Sequence, residues 1–137
     1  MKALKSLRQL LEIRSLRADN LSRSLSEARA DAENAREREA KASEALDIAA
    51  SRAAGNPIVD ELRKSGVISA AKLQDALMRQ SVLRSHEADA GRSLAQRKDA
   101  RCAAQERAEQ AAADFSRALK AVLRAEFSLE AAEKVDR

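Results

Sequence analysis

The chain has 137 residues, a net charge of +4 from 26 basic and 22 acidic residues, and 45% hydrophobic content. It has no Trp or Tyr and only two Phe, and much of its apolar content is alanine, which buries little area. This is the composition of long helices in one domain; it leaves little material for strands, for a thick layered core or for an interior that houses a catalyst.

The first predicted element carries a seven-residue rhythm. Positions seven apart are Leu4, Leu11, Ala18, Leu25, Ala32, Glu39, Leu46 and Ala53, and three residues further on stand Leu7, Arg14, Leu21, Ala28, Ala35, Ala42 and Ala49. Only Arg14 and Glu39 are polar among these fifteen. Such a rhythm, held over seven heptads, predicts one helix of a coiled coil over about residues 3–54. From Ala28 the seam is mostly alanine until Leu46, so a partner helix can approach closely there.

Gly55-Asn56-Pro57 ends this helix, because Pro57 cannot continue it and Gly55 suits a left-handed cap. Asn56 and Pro57 also fit the N-cap and first turn of a short helix, Pro57 to Lys64, closed by Ser65-Gly66. The turn segment therefore covers about residues 55–68.

Ser69 is the expected N-cap of helix two, which runs over about residues 69–135. Its seam is Leu73, Ala76, Gln80, Leu83, Glu87, Ala90, Leu94, Arg97, Arg101, Ala104, Ala108, Ala111, Phe115, Ala118, Val122, Ala125, Leu129 and Ala132. Polar breaks cluster from Gln80 to Arg101, where side chains are expected to reach past the seam to water. Gly91 falls in the same stretch and costs ~1 kcal/mol relative to alanine. The whole reads as an all-α fold, a long antiparallel two-helix coiled-coil hairpin with a short helical turn segment, spanning 1–137 as one domain. Folding about the turn is expected to place Leu46 near Leu77, Leu21 near Cys102 and Leu4 near Leu119. The end of helix two, with Val122, Leu123, Phe127 and Leu129, is expected to project beyond the start of helix one.

The seam leaves some apolar residues unexplained. Leu10, Ile13 and Leu16 on helix one, and Leu119, Leu123 and Phe127 on helix two, lie off it and at the same end. A two-helix body has no means of burying apolar residues all round each helix, so a partner protein, self-association or a membrane surface must account for them. Lys2, Lys5, Arg8, Arg14 and Arg17 face only Glu12 in residues 1–17, a basic collar suited to an acidic partner surface. The expected partner-binding residues at this end are Leu7, Arg8, Leu10, Leu11, Ile13, Arg14, Arg17, Leu123, Arg124 and Phe127. At the turn end a second, smaller contact is expected from Ile58, Leu73, Leu77 and Met78.

Chemistry-bearing patterns are absent. Gly55, Gly66 and Gly91 are scattered and form no phosphate loop. His86 is the only histidine and reads as a solvent-facing helix residue. Cys102 is the single cysteine, so no internal disulfide forms. Acids alternate with bases, as in Arg36-Glu37-Arg38-Glu39, which is helix-surface pairing. No catalytic, cofactor or metal residues are assigned, and the expectation is a non-enzyme without cofactors. Bases are mixed with acids and no aromatic platform exists, so nucleic acid is not an expected partner. No apolar run reaches the ~20 residues needed to span a bilayer, so stable membrane insertion is not expected, and the cytosol is the expected location.

The segment Ile13-Arg14-Ser15-Leu16-Arg17-Ala18, within a basic, leucine-rich opening helix, resembles the start of the YscO family of type III secretion proteins, whose flagellar relatives are the FliJ proteins. Ser69 to Glu87, opening with Lys72-Leu73-Gln74-Asp75, resembles the start of that family's second helix. In plan the resemblance covers most of the chain; in residues it covers these two stretches. It implies a bacterial cytoplasmic stalk, peripheral at the inner-membrane secretion apparatus. Its paired helix ends would enter a hexameric secretion ATPase, and its body would reach an export gate protein and secretion chaperones. The hairpin reading expects a monomer in isolation. The aromatic residues that relatives often carry near the turn are missing here. The alternative reading is a structural coiled-coil spacer or a self-associating coiled-coil adaptor.

Overall fold

The computed structural model describes residues 2–136, with the backbone alone at Ser65. They form three helices, α1 (Lys2–Ala54), α2 (Pro57–Ser65) and α3 (Ala70–Val135), and no strand occurs among the described residues. The interior of α1 holds neither glycine nor proline, so nothing in its backbone interrupts it.

Local caps define the boundaries. The Asn56 side chain accepts hydrogen bonds from the N–H groups of Ile58 (3.1 Å) and Val59 (3.4 Å), and Pro57 takes the first turn of α2, where a missing N–H costs nothing. At the other end Gly66 adopts φ 69° and its N–H donates to the Leu62 carbonyl at 2.8 Å. That left-handed cap belongs to Gly66 alone: Gly55, expected to play this part for α1, does not have a positive φ. The immediate start of α2 at Asn56 makes the left-handed turn unnecessary there. Ser69 Oγ accepts from the Lys72 N–H at 3.2 Å and opens α3.

The chain divides into two compact units, one of Met1–Asn34 with Cys102–Arg137 and one of Ala35–Arg101. In each, a stretch of α1 packs along a stretch of α3. Every expected seam position on α1 is buried or half-buried, and so is every one on α3 except Arg97, which is exposed. The deepest positions are mostly alanine: Ala18, Ala32, Ala104, Ala118 and Ala125 with Leu25 in the first unit, Ala53 and Ala76 in the second. No large side chain is fully buried among the described residues. The seam is therefore thin, and helix propensity must supply much of the stability.

Four of the six polar seam residues find partners on the facing helix. In the first unit Arg14 donates to the Ala121 carbonyl at 3.1 Å. In the second, Arg101 donates to Glu39, and Gln80 Nε2 donates to the Ala53 carbonyl at 3.0 Å. The Gln80 carbonyl oxygen is buried without a partner.

These contacts run antiparallel within each unit, but in a different register from the expected one. Arg8 pairs with Glu133 at 3.6 Å, and Leu21 shares a cleft with Asp114, Arg117 and Ala118 rather than facing Cys102. The shift is roughly two heptads. The second unit shows a shift of the same sense. Gln80 reaches the last turn of α1, so the first turns of α3 run past the end of α1, and α2 folds beside them: Pro57, Asp60, Glu61 and Lys64 line a cleft with Arg79 and Leu83. The surplus length of α3 is taken up there. The expected overhang of its last turns is absent, since Glu133 stands level with Arg8 and Ala125 is 1% exposed.

Candidate partner-binding site

The residues expected at the partner-binding end all fall in the first unit, but they do not form one patch. Leu7 and Leu11 are half-buried seam residues. Arg14 is also in the seam and is held by the Ala121 carbonyl. The others divide between the two flanks of the helix pair and the outer back of each helix.

One flank is basic. An open cleft of about 550 Å³ is lined there by Arg14, Arg17 and Leu21 of α1 and by Asp114, Arg117, Ala118 and Ala121 of α3. Leu10 lies two helical turns before Arg17 and Ile13 lies one turn before it, so both continue this flank; Ile13 is 65% exposed. Arg124, seven residues after Arg117, extends it on α3. Arg117 pairs with Asp114 at 2.8 Å. Arg17 and Arg124 have no acidic partner among the described residues.

The other flank is acidic. Arg8 and Glu133 mark it by their ion pair. Glu126 and Leu119 stand in the same heptad column as Glu133, and Leu123 is one turn from Leu119. Glu12 and Asp19 of α1 lie on this side, four and eleven residues after Arg8. Leu16 and Phe127 (69% exposed) occupy the outer backs of their helices, away from each other. Leu10 and Ile13 are thus separated from Leu123 and Phe127 by the body of the pair. Glu126 and Glu133, in the column of Leu119, and the cleft residues Asp114, Arg117 and Ala121 were missed by sequence reasoning. The heptad spacing of Arg117 and Arg124 was the available signal, but it acquires meaning only once the register is known.

At the turn end, in the second unit, Ile58 and Leu73 are half-buried, whereas Leu77 and Met78 are exposed. Val59, Leu62, Val67 and Val82 are exposed beside them in sequence or one to two turns away, a set that sequence reasoning did not single out. Cys102 and His86 are both exposed.

Among the described residues, no group of three or more His, Cys, Asp or Glu is placed to hold a metal ion, and no helix is long and apolar enough to cross a membrane. The arrangement offers surfaces: a thin closed seam, charged flanks and exposed apolar residues. Compared with protein-family models, with curated proteins and with solved structures, the chain matches none.

Proposed function

We propose that α1 and α3 form one antiparallel coiled-coil hairpin that serves as a non-enzymatic stalk of a type III secretion system. The helix ends of the first unit bind the hexameric secretion ATPase, and the turn end, with Ile58, Leu73, Leu77 and Met78, contacts an export gate protein and secretion chaperones. The protein works in the bacterial cytoplasm, peripheral at the inner-membrane apparatus, and is a monomer in isolation. The unbroken sevenfold seam through both units supports the hairpin, and the resemblance of Ile13–Ala18 and Ser69–Glu87 to the YscO and FliJ proteins supports the stalk.

One observation carries the partner assignment. The first unit exposes apolar residues on every side of an otherwise closed seam: Leu10 and Ile13 on one flank, Leu119 and Leu123 on the other, Leu16 and Phe127 on the two backs. A partner docking on one face covers only some of these. A partner that encloses the helix ends covers all of them, at ~25 cal/mol per Å² of apolar area removed from water.

The test is co-sedimentation of the chain with a hexameric type III secretion ATPase. Leu10→Asp combined with Phe127→Asp is expected to abolish association while circular dichroism shows unchanged helicity. Full association of that variant refutes the assignment. Sedimentation velocity separates the readings further: a monomer is expected, and a concentration-dependent dimer favours the spacer or self-associating adaptor.

A further inference from the structure

The two flanks of the first unit differ in charge, and the difference is not balanced within the molecule. On the basic flank Arg17 and Arg124 lack acids, and the Arg14 and Arg117 guanidiniums are spent on the Ala121 carbonyl and on Asp114. Leu10 and Ile13 stand exposed on the same flank, two turns and one turn before Arg17. On the α3 side the floor is built from small residues, Ala118 and Ala121, beside Leu21 of α1, so another backbone has room to come close over α3. A groove with a small-residue floor, an apolar wall and uncompensated arginines along its rim has the form of a seat for a third helix.

We infer that this groove binds an acidic amphipathic helix of a partner protein, with its apolar stripe against Leu10 and Ile13 and its carboxylates against Arg17 and Arg124. The inference deepens the partner assignment above and rests on it only for the location of the binding end. The charge decides the occupant. Arg17 and Arg124 offer planar donors that carboxylates match in pairs, and a basic or neutral helix would leave both uncompensated. A second copy could bring its own acidic flank, with Glu126 and Glu133, to this groove. That contact is head-to-tail and leaves a flank open on each end copy unless the copies close into a ring. A separate acidic helix fills the groove and ends the assembly.

The experiment uses the full chain and a synthetic, fluorescently labelled helical peptide of about 18 residues, long enough to be helical when docked. It carries leucines at three- and four-residue spacing flanked by glutamates; a counterpart replaces every glutamate with lysine. Anisotropy titration is expected to show binding of the acidic peptide, weakened by added salt, and none of the lysine peptide. Arg17→Glu with Arg124→Glu is expected to weaken binding by about tenfold or more, and Ile13→Asp to weaken it likewise. Glu126→Lys on the opposite flank leaves it unchanged. Circular dichroism of each variant establishes that it is folded. Equal binding of the two peptides, or unchanged binding by the arginine variant, overturns the inference. So does self-association in sedimentation velocity that the arginine variant abolishes. ATPase association of Phe127→Asp, at a residue on the outer back of α3 and outside the groove, bears on the stalk assignment alone, so the two readings fail separately.

Discussion

Arg101 donates from Nε to the Glu39 carboxylate across the seam of the second unit, joining two residues 62 apart in sequence. Both side chains are half-buried, with 30% and 21% exposure. On sequence grounds each is a defect in an apolar stripe. Together they are a matched pair, and a polar pair in a helical seam selects one register over its neighbours at some cost in stability.

A double-mutant cycle tests that role. Glu39→Ala and Arg101→Ala are each expected to destabilise the fold, with a coupling of about 1 kcal/mol between them by urea denaturation. Glu39→Leu with Arg101→Leu is expected to raise the melting temperature while broadening the distribution of registers seen by paired spin labels. A coupling near zero would show that the pair is incidental.

The register itself is open to direct measurement. In a Cys102→Ser background, spin labels at positions 8 and 133 are expected within about 20 Å of each other, since packed helices stand about 8–10 Å apart. Labels at 8 and 115, which the pairing expected from the sequence would bring level, should lie about 27 Å apart along the axis. The reverse order of distances would return the chain to the register with an overhanging C-terminal stretch.

The glycines are expected to separate cleanly. Gly66→Ala places a side chain at φ 69° and should destabilise the α2 cap by about 1 kcal/mol, read by hydrogen exchange at α2 amides. Gly55→Ala meets only the Arg52 carbonyl, at an ordinary 3.6 Å, and should be neutral or slightly stabilising. Gly91 lies inside α3 with nothing within 4 Å of an added Cβ, so Gly91→Ala should stabilise by about 1 kcal/mol. A destabilising Gly91→Ala would mean that α3 needs flexibility at that point.

The seam should be sensitive in both directions. Leu25, 6% exposed, is among the few large residues deep in it, and Leu25→Ala is expected to cost about 2–3 kcal/mol in chemical denaturation. Ala76 is fully shielded, and Ala76→Leu should cost about 1–3 kcal/mol by forcing the helices apart. The same exchange at exposed Ala113 should change stability by less than about 0.5 kcal/mol.

The amino-acid order by itself determined the helices, their caps at Asn56 and Ser69, and the seam at every position but Arg97, because these are local matters: periodicity, capping chemistry and proline sterics act within a turn or two. It also marked the apolar excess around Leu10, Ile13, Leu123 and Phe127. Register was decided only by tertiary structure. A sevenfold stripe is nearly indifferent to sliding by one heptad or two, and the choice shows only in where Arg8 and Arg14 in the first unit, and Gln80 and Arg101 in the second, find partners. From the antiparallel packing of the two seams follows the division of one supposed patch into a basic flank with Leu10 and Ile13 and an acidic flank with Leu119 and Leu123, and the register sets which residues stand level on each. A flank is made by two helices, so it has no existence until their relative positions are set.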